Sequence, residues 1–248
     1  VKSIVCVKRV PDTEARLRIA GDGGSVETSG MKFVLNPYDE FAVEAALKHK
    51  EAAGSGDVTV VTVGGSEAAE TLRTALAMGA DSAVLLKSAG PLEGLAVAQA
   101  LAEELRGREY DLLLFGLRAV DDDLQAVGPM TAELLGIPVT SAVTEFQVRD
   151  GKVIAQREIE GGTEVMELRM PCALTVTKGA YEPRYASLKG IMAAKKKPLE
   201  EKPAAASGTA GTQQLSYPPE RSAGRIIGQG ADAVPELMRL LREEAKVL

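Results

Sequence analysis

Apolar and polar positions follow two rhythms along the chain, and the change between them divides it. Up to Leu135, short apolar runs alternate with stretches whose apolar residues recur every three or four positions, the signature of strands alternating with amphipathic helices. Ser3 to Val10 reads as the first strand. Asn36-Pro37 opens a helix: Asn36 suits a cap, Pro37 the first helical position, and Asp39 and Glu40 the positive end of the dipole. Phe41, Val43, Ala45, Ala46 and Leu47 supply its apolar side, and Gly54 ends it. Asp57 to Val63 is a β-branched run expected as a buried parallel strand. Ser66 then caps a second helix with Leu72, Ala75, Leu76 and Met78 inward. Ala83–Leu86, Pro91–Arg106, Asp111–Phe115 and Leu124–Leu135 continue as strand, helix, strand, helix. Right-handed crossovers make this an α/β fold with a mostly parallel, doubly wound, Rossmann-like sheet covered on both faces.

After Pro138 the pattern changes to strands alone, at Ser141–Val148, Lys152–Glu158, Glu164–Leu168 and Ala173–Thr177. Asp150-Gly151 between two alternating runs is a hairpin signal. These strands either extend the sheet at one edge or form a small separate layer. The expected organisation is an α/β domain over residues 1–180, an exposed segment over 181–199 and an arm over 200–248. Glu200 to Pro219, rich in Ala, Gly, Ser, Thr and Pro, reads as a flexible or extended linker. Ala233 to Val247 follows as an amphipathic helix that either reaches a neighbour or folds back on its own domain.

Composition narrows the function classes. A formal charge of −6, no Trp, five Tyr and four Phe argue against a nucleic-acid binder, which needs a basic footprint or stacking platforms. No apolar run is long enough to span a bilayer, so no membrane insertion is expected. Val1 to Val10 lacks the apolar region of a signal peptide, which points to the cytoplasm. Cys6 and Cys172 lie in apolar runs and read as reduced, buried thiols. His49, the one histidine, stands between two lysines on a helical face expected to be exposed, so neither a zinc set nor a Ser/His/Asp relay has support.

Two segments carry candidate chemistry. GLRAVDDDLQAVG, from Gly116 to Gly128, follows the apolar strand DLLLF and precedes a helix, where α/β folds bind ligands on helix amino termini. A phosphate there would rest on the amides of Gln125 to Gly128, provided that the three aspartates point away; on spacing alone, helix capping is the favoured reading of this loop. The second segment, YEPRYASLKGIMAAKKKPL from Tyr181 to Leu199, has an apolar face of Leu188, Ile191 and Met192 and a positive end at Lys195, Lys196 and Lys197. It reads either as a docking device for a partner groove or as a solvated helix end.

EPRYASL and IMAAKKKP together resemble the recognition loop of the electron transfer flavoprotein β-subunit family. The likeness extends to KRVPD from Lys8, NPYDEFAVEAAL from Asn36, ETLRTALAMGAD from Glu70, AVDDD from Ala119 and REIEGG from Arg157. It implies a heterodimer with an α subunit that holds most of the FAD, this chain binding AMP as a structural nucleotide. The AMP contacts it implies are Cys6, Asn36, Pro37, Tyr38, Asp39 and Val63, with the loop residues Gly116, Leu117, Arg118, Ala119, Val120, Asp121, Asp122, Asp123, Leu124, Gln125, Ala126 and Val127. It further implies that Leu188 inserts into a pocket of an acyl-CoA or related dehydrogenase, that Glu158 pairs with a basic residue of the α subunit, and that electrons leave to an electron transfer flavoprotein–quinone oxidoreductase-like acceptor. No catalytic residue is implied, only an electron carrier. Ala126 stands where the family commonly has glutamine, and Thr13 where some members have tyrosine. Asp122 stands where an electron-bifurcating branch, which binds a second FAD in place of AMP, often has glycine. An adenine-nucleotide hydrolase and a nucleotide-sensing module are the remaining alternatives.

Overall fold

The computed structural model describes residues 1–248 apart from 207, 209 and 222. Its first half winds as the sequence pattern predicts, apart from the added pair β2 and β3: β1 (Lys2–Cys6), β2 (Arg9–Pro11), β3 (Phe33–Leu35), α1 (Pro37–Ala53), β4 (Asp57–Gly64), α2 (Ala68–Met78), β5 (Ser82–Lys87), α3 (Gly94–Arg106), β6 (Leu112–Gly116) and α4 (Val127–Leu135). The second half contributes β7 (Val139–Arg149), β8 (Lys152–Ile159), β9 (Gly162–Arg169), β10 (Cys172–Val176), α5 (Leu188–Ala194), β11 (Leu199–Pro203) and α6 (Val234–Glu243). Among the described residues, nine strands form one sheet in the order β11-β5-β4-β1-β6-β10-β7-β8-β9. Every pairing from β11 to β7 is parallel, and in this sheet only the β7–β8 and β8–β9 pairings are antiparallel. The late strands therefore extend the sheet rather than forming a second layer.

Alternation along the central strands builds a core on each face. Val5, Leu112 and Leu114 join α1 and α2 on one side, while Ile4, Cys6, Leu113 and Phe115 join α3 on the other. Strands buried on both faces must be apolar throughout, which is why LLLF at Leu112 to Phe115 shows no polar alternation. Each fully buried leucine here adds roughly 1.5–3 kcal/mol relative to exposure.

Several expected boundaries shift, each for a local reason. The first strand stops at Cys6, because Arg9–Pro11 leaves the sheet to pair antiparallel with β3. Asn36 precedes α1, yet its side chain makes no capping bond. Ser66 lies outside α2, which begins after Glu67. α3 and α4 start three residues late, at Gly94 and Val127, releasing Pro91–Glu93 and Leu124–Ala126 into loops. Part of the expected linker is a strand: β11 pairs parallel with β5, and as an edge it shows mostly charged side chains to solvent, which hid it from an apolar pattern. His49 is half-buried, not exposed, because the sheet extension carries Phe146 over α1 and stacks it on the imidazole at 4.0 Å. Its Nε2 meets the Tyr181 hydroxyl at 3.0 Å, and burial lowers its pKa. Phe41 is only half-buried, whereas Glu44 on the same helix is fully buried.

Candidate functional site

β1 lies between β4 and β6, so the chain winds outward in both directions from this point and leaves a crevice at the strands' carboxyl ends. The crevice is a cleft of about 640 Å³ lined by the ends of β1, β4 and β6, the loop before α4 and the start of α4 itself. That volume lies within the range of about 300–1,000 Å³ usual for small-ligand sites.

Asp39 holds the floor together. From the first turn of α1 its Oδ2 accepts the Lys8 amide at 2.7 Å and its Oδ1 the Gly116 amide at 3.1 Å, joining the connection after β1 and the end of β6 to the helix. It is buried, and loss of solvent pushes its carboxyl up to about 7 against the opposing pull of those amides. Glycine is required at 116, since a Cβ would meet the Tyr38 carbonyl carbon at 2.6 Å and the Asp39 nitrogen at 2.7 Å. Asn36 supports the loop from behind: its Nδ2 donates to the Arg118 carbonyl at 2.9 Å, and its Oδ1 accepts the Val120 amide at 3.2 Å. The amide that pattern reading assigned to helix capping thus fastens the loop.

The three consecutive aspartates are all paired. Lys8 Nζ reaches Asp121 at 2.8 Å and Asp122 at 2.7 Å, while Arg118 pairs with Asp123 at 3.0 Å and donates to the Tyr38 hydroxyl at 2.8 Å. Burial alone would lower the Lys8 pKa, but its bonds to the two aspartates outweigh that and raise it. Beyond them Asp123 and Gln125 adopt left-handed backbone with φ of 54° each, and α4 opens without a side-chain cap. Its first amides are therefore not engaged by a capping side chain, the arrangement that favours an anion.

Most of the expected contact residues meet in this cleft: Cys6, Asp39, Val63, Gly116 to Ala119, Asp121, Asp122 and Leu124 to Val127 all line it. Asn36, Pro37, Tyr38, Val120 and Asp123 do not, and sit behind or beside the wall. Cys6 is buried, and desolvation raises its thiol pKa, so it offers shape rather than a nucleophile. Sequence reading missed Lys8, Gly64-Gly65 and Ser88 to Leu92, which also line the cleft. The Gly-Gly pair after an apolar strand was the available signal.

The segment from Tyr181 to Leu199 crosses α1 and α2 and is fastened at both ends. Arg184 forks onto buried Glu44 at 2.7 Å and onto Glu51 at 2.6 Å. The Tyr181 hydroxyl accepts the Phe146 amide at 3.0 Å and donates to its carbonyl at 3.2 Å. At the far end Arg73 donates to the carbonyls of Ala194 and Lys197 at 2.5 and 2.8 Å. Lys197 turns inward, its Nζ closing the end of α2 through the carbonyls of Leu76 and Ala80 at 3.0 and 2.6 Å. It is thus an anchor, and only Lys195 and Lys196 of the trio are exposed. Between these anchors Ser187 Oγ caps α5 by accepting the Gly190 amide, and Ala194 faces inward. Leu188 is 84% exposed and Met192 64%, with Ile191 beside them.

Residues 23–207 match the electron transfer flavoprotein domain. Along its whole length the chain is 41% identical to the electron transfer flavoprotein subunit beta of Bradyrhizobium diazoefficiens, also covered completely. It is 40% identical to that of Bacillus subtilis and 38% to that of Mus musculus, with 98% of each chain covered. The chain belongs to the electron transfer flavoprotein β-subunit family. Relatives from rice, 37% identical, carry the name electron transfer flavoprotein subunit beta, mitochondrial. Among the described residues no helix is long and apolar enough to cross a membrane, and no cluster of metal-ligating side chains is found.

Two further features of the sequence reading lie apart from the cleft. Glu158 is exposed near the tip of the β8–β9 hairpin, at the sheet edge opposite β11. α6, among the described residues, buries no side chain and leaves Val234 and Leu237 exposed. The arm touches the body earlier, where Leu215 donates to the Gly23 carbonyl at 2.7 Å and the Tyr217 hydroxyl accepts the Ile19 amide at 3.0 Å.

Proposed function

We propose that this chain is the β half of a heterodimeric electron carrier, holding AMP in the cleft and presenting Leu188 to dehydrogenases. The carrying observation is the pairing of family membership with a leucine that is 84% exposed on a segment anchored at both ends. An apolar side chain held in solvent on a fixed support suits insertion into a partner's pocket, where a few central residues supply most of the affinity. Lys195 and Lys196 beside it steer encounter with an acidic rim.

For the nucleotide, the fit lies in the start of α4 facing the cleft without a side-chain cap and in aspartates already matched by cations. The amides of Gln125 to Gly128 would hold the phosphate and the ends of β1 and β4 the remainder. Asp122, held by Lys8 inside the cleft, restricts room for a second phosphate and supports AMP over a second FAD. With their carboxylates paired, Asp121 to Asp123 are poorly placed for hydrolase chemistry. FAD, held mainly by the α subunit, supplies the redox chemistry when bound. This chain's residues close one side of the flavin, with Glu158 offered to a basic group of that subunit. The electrons then pass to a quinone oxidoreductase-like acceptor.

Purification of the chain with its α partner tests the reading. The complex should be yellow, contain one flavin per pair and release AMP on acid extraction. A second flavin per pair would contradict the AMP assignment, and ATP turnover by the isolated chain would contradict the carrier.

A further inference from the structure

An aspartate triplet beside an anion site is an electrostatic problem, and the structure contains a specific answer to it. Asp121 and Asp122 both line the cleft that the start of α4 enters. Left alone, two carboxylates there would oppose a dianionic phosphate and cancel the favourable field of the helix terminus, which is equivalent to only about half a charge. Lys8 stands between them, 2.8 Å from Asp121 and 2.7 Å from Asp122, and lines the same cleft. Its backbone cannot drift away: the Lys8 amide donates to Asp39 at 2.7 Å, and its carbonyl accepts the Asn36 amide at 3.0 Å. The ammonium is thus delivered from the connection after β1 by a residue whose main chain is fixed to Asp39 of α1 and to Asn36 just before that helix.

Resting on the reading of the cleft as a nucleoside monophosphate site, we infer that Lys8 is a positioning residue that makes an acidic loop tolerant of phosphate by neutralising Asp121 and Asp122, rather than by binding the phosphate itself. Both of its near partners are carboxylates, and the phosphate is left to backbone amides. The bridge also ties the loop to the connection after β1 just before the left-handed residues Asp123 and Gln125. With Lys8 present the trio carries a net charge of about −1, and without it about −2, so Lys8 governs how strongly the loop repels a charged ligand while leaving an uncharged nucleoside unaffected.

The test uses the chain purified with its α partner and stripped of nucleotide, titrated calorimetrically with AMP and with adenosine. Wild type should bind AMP more tightly than adenosine. Lys8→Met should weaken AMP by about tenfold or more through the repulsion of one uncompensated charge, leave adenosine within about twofold, and lose less at high salt. The decisive variant adds Asp121→Asn and Asp122→Asn to Lys8→Met, which removes the carboxylates that the lysine serves. AMP affinity should then recover to near the wild-type value. If the triple variant stays as weak as Lys8→Met, the lysine acts on the phosphate directly and the inference fails although the cleft still binds AMP. Equal losses for AMP and adenosine would also overturn it, since they mark a collapsed cleft. Absence of AMP binding by wild type would remove the reading beneath it.

Discussion

The cleft loop and the docking segment are both surface connections rich in charge, yet they use it in opposite ways. In residues 116–127 the charged side chains bind one another and the neighbouring strand end, so the surface left for a ligand is backbone and shape. In residues 181–199 Arg184 and Lys197 tie the two ends to α1 and α2, and the surface left for a partner is an apolar patch flanked by the exposed Lys195 and Lys196. In the proposed function, a small nucleotide would be recognised through fixed amides, and a protein pocket through a protruding hydrophobe. The same residue types serve both because only their partners differ.

The contrast can be broken most severely at Gly116. A valine there drives its side chain into the first turn of α1, and Gly116→Val should cost about 3 kcal/mol or more, read as a lowered urea midpoint with loss of bound nucleotide. Next is Arg184→Ala, which strands the buried Glu44 carboxylate. It should destabilise by about 2–3 kcal/mol and raise protease cleavage between Tyr181 and Leu199 without altering nucleotide content. The smaller Lys197→Met removes two carbonyl bonds at the end of α2, and a loss of about 1 kcal/mol in urea is expected.

Asp39 sharpens the cleft side of the contrast through pH. Its native pKa, pushed up to about 7, lies above the unfolded value of about 3.9, so the stability it contributes is complete below about pH 4 and lost as pH rises through 7. The unfolding free energy of wild type relative to Asp39→Asn should therefore fall by on the order of a few kcal/mol between pH 4 and pH 8. A flat difference would show that the two amides keep the carboxylate ionised throughout.

Much of this was legible in the chain because strong periodicity survives tertiary context. The β-branched run of β4 and the Leu/Phe run of β6 could only be buried strands, and Asp150-Gly151, with φ of 50° and 75°, makes the expected hairpin turn. β11 was not legible, since an edge strand of LEEKP carries no apolar alternation and its parallel partner is distant in sequence. Nor was the role of Asn36, whose side chain has two local options that sequence spacing cannot separate. Lys197 in a run of three lysines looks identical to its neighbours until α2 is placed beneath it. Leu124 to Ala126 carry the pattern of a first helical turn, although Gln125 takes left-handed backbone that precludes it.

Leu188 offers the most direct test, because its substitution should separate docking from folding. Leu188→Ala, at a side chain 84% exposed, should leave urea stability within about 0.5 kcal/mol and the flavin and nucleotide content of the heterodimer unchanged. Stopped-flow reduction of that heterodimer by an acyl-CoA dehydrogenase should slow by about tenfold or more in its second-order rate, consistent with loss of a central anchor. An unaltered rate with an equally stable, fully flavinated complex would contradict the docking role of the segment.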